Sequence, residues 1–184
     1  MNHFDARVRY TRMIIDQCFL ELLTKKHFSR ITVTELCTMA QINRATFYKH
    51  YQDVPQLLET MCDQILQQIH QLIQEHAQHT DKLTMPILRY ICDHAQTLKI
   101  LGSSNADPEL MAKIYRSCFD ITYPDICERL PDAKEEERQM LYSFLSSGSA
   151  GILSRWMEQG MKQSPEAVSE ILLQFTSAAV QTLL

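Results

Sequence analysis

The sequence predicts an all-α protein of about nine helices, with a short helix-turn-helix near its N-terminus. Glycine and proline are rare, at 4 and 6 of 184 residues, whereas Leu, Ile, Gln, Glu and Met are abundant. Apolar residues recur at spacings of three and four along most of the chain, which is the period of one helix face. Residues typical of helix N-caps stand just before several of these stripes. Together these observations favour a small helical domain at the N-terminus, the head, followed by a larger helical bundle.

Two N-cap signals within twenty residues predict the helix-turn-helix. Thr32 and Glu35 have the spacing of a capping box, which predicts a helix from the residue after Thr32. Asn43 is a second N-cap residue and predicts another short helix from residue 44. Only residues 41–42 remain between the two helices. Helices joined so tightly must cross steeply, as they do in a helix-turn-helix.

The second of these helices has an apolar edge and an outward edge. Phe47 and Tyr51 share one face, so Ala45, Thr46 and Lys49 point the other way. Threonine can bond base edges and contact the thymine methyl group, and lysine can reach guanine or phosphate. The functional interpretation is a recognition helix for the major groove. The alternative is the solvated face of a small helical hairpin.

Several stretches around these helices fit one known pattern. They are residues 31–36 (Ile-Thr-Val-Thr-Glu-Leu), residues 45–51 (Ala-Thr-Phe-Tyr-Lys-His-Tyr), and Ala40, Ile42, Asn43, Leu57 and Leu58. Over about residues 7–60 the chain resembles the DNA-binding domain of the tetracycline-repressor (TetR) family. The resemblance implies a homodimeric transcriptional regulator whose affinity for double-stranded DNA is set by a small ligand. Repression is the commoner mode in that family.

The resemblance also assigns residues to the DNA. It implies base-contacting positions for Arg44, Ala45, Thr46 and Tyr48, and positions near the DNA backbone for Lys49 and His50. The predicted interface further includes Thr32 and Thr34.

Two positions depart from the family pattern. Gln41 stands in the turn where the family usually has Gly; if that residue is left-handed, Gln costs about 1 kcal/mol there. Val54 stands where the family often has a phosphate-binding Lys near the start of the fourth helix. Gln52 or Gln56 would be a weaker substitute.

Charge is distributed unevenly along the chain. Residues 1–53 hold eight Lys/Arg and five Asp/Glu, whereas the remainder holds ten and seventeen, for a net charge of −4. A basic head on an acidic body suits a protein that touches DNA at one end. Arg7, Arg9 and Arg12 stand near the start of the first helix, where the helix dipole does not favour cations. An outside phosphate would explain them, and ordinary solvated arginines are the alternative.

Other classes of protein find little support in the sequence. It has no long apolar run and no signal-peptide pattern, so we expect a cytoplasmic protein without a membrane segment. The six cysteines have no C-x-x-C spacing and are expected to be buried thiols, with a redox pair of Cys118 and Cys127 as the alternative. His76 and His79 are three residues apart, but nothing nearby completes a metal site. No cofactor is predicted.

The remaining chain is divided into helices by breaks in the apolar pattern. Helices are predicted over residues 7–26, 53–79, 84–101, 107–120, 123–130, 135–161 and 165–184. This division predicts a DNA-binding domain over residues 1–52 and an effector-binding and dimerisation domain over residues 53–184.

The last two helices are predicted to form a four-helix interface with a second copy of the chain. Residues 146–151 include Gly148 and Gly151, which would permit close approach of helices and so offset the cost of glycine in a helix. Burial of both helices within their own domain is the alternative. Residues 151–156 resemble the effector domain of Firmicutes-type members of the family. The candidate pocket residues are Tyr90, Met111, Tyr115, Tyr123 and Trp156.

The leading hypothesis is therefore a ligand-responsive repressor that binds a palindromic operator as a homodimer. The alternative is a protein-binding adaptor or coactivator that has lost sequence-specific DNA binding. An enzyme is not expected, because no Ser-His-Asp order, Gly-rich phosphate loop or paired carboxylate stands out.

Overall fold

The computed structural model describes residues 3–76, 84–106 and 110–183, leaving out the side chains of residues 3–5 and 76 and of several residues of the helix that begins at Leu110. All regular secondary structure in these ranges is helical, which confirms the all-α fold. A 3₁₀ turn spans Phe28–Arg30. The α-helices are α1 His3–Leu23, α2 Val33–Met39, α3 Arg44–Tyr48, α4 Val54–His76, α5 Thr84–Asp93, α6 Ala95–Leu101, α7 Leu110–Arg129, α8 Glu135–Glu158 and α9 Pro165–Gln181.

The chain forms two compact units. The first comprises Met1–Gln64 and Lys99–Pro108, and the second comprises Ile65–Leu98 and Glu109–Leu184. The division between the units therefore falls inside α4 and inside α6. The first unit contains more than the sequence-predicted head, and the predicted domain boundary after residue 52 stays a prediction.

The predicted caps start α2 and α3 where the sequence placed them. Thr32 Oγ1 accepts the Glu35 N–H at 3.2 Å, and Asn43 Oδ1 accepts the Thr46 N–H at 2.7 Å. The Glu35 carboxylate is held by Lys26 Nζ at 2.6 and 2.8 Å, so the Thr32 half of the predicted capping box is the half that the structure shows. Both helix starts are satisfied by side chains, which makes these short helices possible.

The turn between α2 and α3 is a Schellman motif with an unusual residue. Gln41 has a φ of +52°, in the left-handed region. The Ile42 N–H bonds the Cys37 carbonyl at 3.0 Å, and the Gln41 N–H bonds the Thr38 carbonyl at 3.3 Å. Glycine is the usual residue at this position, because a side chain there crowds the following carbonyl. The strain expected from the sequence is therefore present.

The chain that follows α6 belongs to the first unit, although it is far from α1 in the sequence. Asn105 Nδ2 donates to the carbonyl of Leu23, the last residue of α1, at 2.9 Å. The Asn105 carbonyl accepts the Phe28 N–H at 2.7 Å. One residue thus satisfies both ends of the connection between α1 and the 3₁₀ turn. Nearby, Leu101 and Ala106 are buried.

The structure corrects two helix boundaries in the second unit. Residues 84–101 form two helices, because the chain is interrupted at His94. The His94 ring stacks on Tyr90 at 4.1 Å between centroids, and its Nδ1 lies 2.9 Å from the Tyr90 carbonyl that also accepts the His94 N–H. The ring therefore competes for a helix acceptor at the end of α5.

The predicted break before Tyr123 is wrong, since α7 runs through Pro124. Proline removes one helical N–H donor and normally ends or kinks a helix. Here Tyr142 of α8 donates to the Asp120 side chain and lies 3.3 Å from the Arg116 carbonyl, and its ring packs edge-on against Tyr123. These contacts lie before the proline, and beyond it Ile126 packs against the core of Leu130, Leu141 and Leu145, so packing with α8 supports α7 on both sides.

The last two helices begin as the sequence predicts. Ser164 Oγ accepts the Ala167 N–H at the start of α9. The α8 helix ends at Glu158, and Gly160 follows with a φ of +76°. A core of Leu130, Leu141 and Leu145 packs against Ala179, Val180 and Leu183 of the C-terminal segment. No helix within the described ranges is long and apolar enough to cross a membrane.

Replacing Gln41 with Gly should raise the free energy of unfolding by about 1 kcal/mol, because glycine has no side chain to crowd the left-handed turn. Urea denaturation measures the change. The matched control is Gln67→Gly, at an exposed position inside α4, which should lower the free energy of unfolding by about 0.5–1 kcal/mol. A loss of stability in both variants would contradict the proposed strain.

Candidate nucleic-acid interface

The α3 helix is held from behind by two buried aromatic residues. Phe47 is fully buried and Tyr51 is 2% exposed, and their ring centroids lie 5.8 Å apart. On the opposite edge, Ala45 and Lys49 are exposed and Thr46 is half-buried. The structure therefore brings the predicted base-contacting edge to the surface of the first unit.

Hydrogen bonds order part of this edge before any ligand binds. The Arg44 guanidinium donates to Thr34 Oγ1, which links α3 to α2. Thr46 Oγ1 donates to Asn43 Oδ1 at 2.9 Å, so its proton is committed to the helix cap while its oxygen can still accept. Thr32 is also engaged, as the cap of α2. Four of the predicted interface residues are therefore tied into the helix-turn-helix.

Tyr48 and His50 differ in exposure and charge. Tyr48 is 55% exposed, and its ring packs edge-on against Phe47 at 5.6 Å between centroids. His50 is half-buried, and burial, with the nearby Arg12 charge, lowers the pKa of its imidazole. The lowered pKa favours neutral imidazole at pH 7. His50 can thus offer a hydrogen bond to a phosphate rather than a full charge.

The start of α4 lacks the phosphate contact that the family often has. Val54 is buried and cannot reach a ligand. Gln56 Oε1 accepts the Gln52 N–H at 3.2 Å, and Gln56 Nε2 donates to Thr60 Oγ1 at 3.0 Å. Of the two predicted substitutes, Gln56 is therefore turned back onto its own helix, and Gln52 is exposed.

Arg12 has a role that sequence reasoning missed. Its Nε donates to the Tyr51 hydroxyl at 2.9 Å, and its guanidinium carbon lies 5.6 Å from the centre of the Tyr51 ring. Arg7 and Arg9 are exposed. The three arginines were grouped by their position near a helix start, and a bond across 39 residues leaves no local signal. The structure separates Arg12 from the other two.

Three of the candidate effector residues use their polar groups in hydrogen bonds within the chain, and the five candidates stay a prediction. The Tyr90 hydroxyl donates to Gln68 Oε1 at 2.7 Å, and the Tyr123 hydroxyl donates to Glu135 Oε1 at 2.9 Å. Trp156 is buried, with its Nε1 donating to a backbone carbonyl at 3.0 Å. Each of these polar groups bonds within the chain. The side chains of Met111 and Tyr115 lie outside the described residues.

Cysteine and histidine chemistry gains no support from the described residues. Five cysteines are present as thiols, and burial raises the pKa of three of them, Cys18, Cys37 and Cys92. The Cys118 side chain lies outside the description, so the redox pair with Cys127 stays a prediction. The side chain of His76 and all of His79 also lie outside it. Among the residues described, no three potential ligands cluster as a metal site.

A second surface in the other unit is apolar and open. Helices α8 and α9 form a groove of about 680 Å³. Met140, Phe144 and Phe175 line it and are 72%, 66% and 59% exposed. A methyl group placed on Gly148 or Gly151 would meet no atom within 4 Å. Among the residues that the structure describes, the close approach predicted for these glycines is therefore not made.

Comparisons with known proteins place the fold and the head in one class, the helix-turn-helix transcriptional regulators. A family model described as a transcriptional regulator C-terminal region of the TetR type matches residues 78–178, more than half of the chain. The chain belongs to the TetR family of transcriptional regulators. Members of this family are regulators and not enzymes.

Individual relatives agree with this family. The uncharacterized HTH-type transcriptional regulator YxbF of Bacillus subtilis is 25% identical in an alignment of 180 positions that covers 93% of this chain and 46% of that protein. The chain thus spans about half the length of that relative. A solved TetR transcriptional regulator from Streptococcus agalactiae is also 25% identical, with a TM-score of 0.68 over 94% of this chain and 96% of that one.

Two further solved structures share the fold at lower identity. The dihydroxyacetone kinase operon activator DhaS has a TM-score of 0.66 at 17% identity, over 94% of this chain and 97% of that one. NalD, the secondary repressor of the MexAB-OprM multidrug efflux pump in Pseudomonas aeruginosa, has a TM-score of 0.64 at 16% identity, with the same coverage.

Replacing Tyr48 with Ala should change the free energy of unfolding by less than about 0.5 kcal/mol, because most of the ring is exposed. Replacing the adjacent Phe47 with Ala should cost about 3–5 kcal/mol, because that ring is fully buried. Urea denaturation of both variants checks the assignment of the two edges. Equal losses in the two variants would mean that Tyr48 belongs to the core.

Proposed function

We propose that the chain is a ligand-responsive repressor that binds a palindromic operator as a homodimer. The single observation that carries the proposal is the exposed polar edge of α3, which stands on buried Phe47 and Tyr51. A helix supported in this way can enter the major groove without disturbing the core behind it. Family membership supplies the class of regulator, and the edge supplies the means of contact.

The proposed contacts follow from what each side chain can offer. Arg44 can bond guanine, Thr46 and Ala45 can contact base edges and the thymine methyl group, and Tyr48 can bond phosphate or pack on sugar. Lys49 is the exposed cation at the end of α3 and would bind a backbone phosphate. His50, Thr32 and Thr34 would contribute neutral hydrogen bonds at the margin. We assign these contacts to a DNA-binding domain of residues 1–52.

Dimerisation through α8 and α9 is supported by the open groove between them. Large apolar side chains are rarely left together on the surface of a protein that acts alone. A second copy that presented the same face would cover Met140, Phe144 and Phe175 and could approach closely at Gly148. The result would be an isologous four-helix interface, which presents two heads to one palindrome.

Ligand response would work through the separation of the two heads. Two recognition helices fit one duplex only when their spacing matches about 34–36 Å or a multiple of it. A small molecule that bound residues 53–184 better in one conformation than in another would shift the population away from the matching spacing. We expect this to take place in the cytoplasm.

An adaptor or coactivator is the second candidate function. The observation that favours it is the buried Val54 at the position of the expected phosphate contact. DhaS, which has the same fold, is an operon activator and NalD is a secondary repressor, so the fold is compatible with either sign of regulation. In the adaptor, the α3 edge would dock another protein.

Selection from random duplex DNA separates the two functions. The repressor should enrich a palindromic consensus, whereas an adaptor should retain only weak binding that salt abolishes.

In the same selection, the Thr46→Ala variant should change the selected bases more than it changes the salt dependence of DNA affinity.

On the selected duplex, Lys49→Ala should lower the slope of log affinity against log salt by about one unit, because one phosphate contact is lost. Fluorescence anisotropy over a range of salt concentrations measures the slope. The control is Lys25→Ala, which removes an exposed cation paired with Glu21 at 2.7 Å and should leave the slope unchanged. An unchanged slope for Lys49→Ala would remove this residue from the interface.

Replacing Phe144 with Asp should convert the dimer to a monomer, because a carboxylate would be buried in the four-helix interface. Sedimentation velocity measures the oligomeric state. The control is Ser143→Asp, at an exposed position of α8 that does not line the groove, and it should remain dimeric. A Phe144→Asp variant that also remains dimeric would place the interface elsewhere.

A further inference from the structure

The chain segment that follows α3 is tied to α1 by a hydrogen-bonded bridge of three side chains. The Tyr51 hydroxyl accepts a hydrogen bond from Arg12 Nε at 2.9 Å and donates one to Asp16 Oδ1 at 2.7 Å. Arg12 and Asp16 are four residues apart on α1, so they lie on one face of that helix. The phenol therefore stands between a cation and a carboxylate, and both of its hydrogen-bonding roles are used.

Packing alone does not require this bridge. A phenylalanine at position 51 could fill the same space beside Phe47, since the hydroxyl adds only one atom to the ring. The Arg12 guanidinium also lies 5.6 Å from the centre of the Tyr51 ring, which adds a cation–π contact. Hydrogen bonds to charged groups are stronger and more directional than contacts between apolar atoms. Packing therefore fixes the position of the Tyr51 ring, and the bridge also fixes its orientation relative to α1.

Burial makes the hydrogen bonds of Tyr51 and Asp16 costly to lose. Tyr51 is buried, and desolvation followed by the Asp16 hydrogen bond raises the pKa of its hydroxyl well above the usual value. Burial also raises the pKa of the Asp16 carboxyl, although its bonds to Tyr51 and the Arg12 charge oppose that shift. Removing one partner would leave a desolvated polar group without its bond.

The α3 helix is short enough to need such a constraint. It has five residues, little more than one turn, and a helix of that length has almost no stability of its own. Its direction is set by the Asn43 cap at one end, by Phe47 in the middle and by Tyr51 just beyond the other end. Lys49 lies two residues from Tyr51, so a shift of Tyr51 would displace the outward edge at this end, while the Asn43 cap holds the other end.

We propose that Arg12 and Asp16 are positioning residues that hold the recognition edge of α3 in its binding orientation through the Tyr51 hydroxyl, and that Arg12 does not itself bind phosphate. The proposal rests on the DNA-binding function proposed above and assigns parts of it to α1. Arg12 thereby differs from the exposed Arg7 and Arg9, which remain available to the DNA backbone.

The first test measures DNA affinity with the full chain and the selected duplex. Tyr51→Phe keeps the ring and removes the bridge, and Arg12→Met removes the guanidinium but keeps an apolar stem. Each should weaken binding about tenfold, the equivalent of one charge-assisted hydrogen bond. Neither should lower the salt slope by a full unit, because no phosphate contact is lost. The double variant should bind no more weakly than the single variants, since both break the same bridge.

Three outcomes of this test would overturn the proposal. Tyr51→Phe with native affinity would make the bridge a contributor to stability alone. If Arg12→Met lowered the slope of log affinity against log salt by one unit, as expected for Lys49→Ala, Arg12 would be a phosphate contact. Additive losses in the double variant would mean that the two residues act separately. Lys25→Met serves as the control for removing an exposed cation, since Lys25 pairs with Glu21 outside the proposed interface, and it should leave both the affinity and the salt slope unchanged.

The second test needs no DNA and separates this inference from the proposed function. Amide hydrogen exchange in Tyr51→Phe should be about tenfold faster at Phe47, His50 and Tyr51, whose N–H groups bond backbone carbonyls of residues 43 and 47. Exchange at Leu57 and Val168 should stay unchanged. If the native chain selected no duplex, the proposed function would fail, while faster exchange confined to residues 47–51 would still support the positioning role. Unchanged or uniformly faster exchange would refute it.

Discussion

The structure of the head depends on holding one short helix from behind. Five residues cannot form a stable helix in water, because the cost of the first turn is not recovered over so short a length. Burial of Phe47, the Asn43 cap and the Tyr51 bridge supply the missing stability from behind α3 and from its two ends. On the outward edge Arg44 and Thr46 also bond within the helix-turn-helix, whereas Ala45 and Lys49 are simply exposed. Positions 45 and 49 can therefore vary in sequence with the least effect on the fold.

The second unit handles apolar surface in a different way. Its buried leucines pack α7, α8 and α9 together, yet α8 and α9 keep large side chains in contact with solvent. Interior glycines in α8 give up helix stability, and a side chain at either position would contact none of the described residues. Both features are explained at once if a second copy completes this surface. The proposed dimer thus gives a common reason for two local costs.

Sequence reasoning succeeded where the information is local. A cap residue and its partner lie three positions apart, so Thr32, Asn43 and Ser164 could be identified without any knowledge of the fold. It failed where distant contacts decide. The ring of His94 interrupts a regular apolar stripe, and α8 supports a proline within α7 against its usual effect. The role of Arg12 was hidden for the same reason. For the proposed DNA contacts, helix periodicity gave the outward edge of Ala45, Thr46 and Lys49, and family resemblance added the remaining positions.

The bond pattern of Asn105 limits how this protein can be divided for engineering. A fragment that ended within α4 would retain the whole helix-turn-helix and could be mistaken for an independent domain. It would also leave the Leu23 carbonyl and the Phe28 N–H without the partner that now serves both. A chimera that joins this helix-turn-helix to a different C-terminal domain must therefore supply an equivalent hydrogen-bonding residue for the connection between α1 and the 3₁₀ turn.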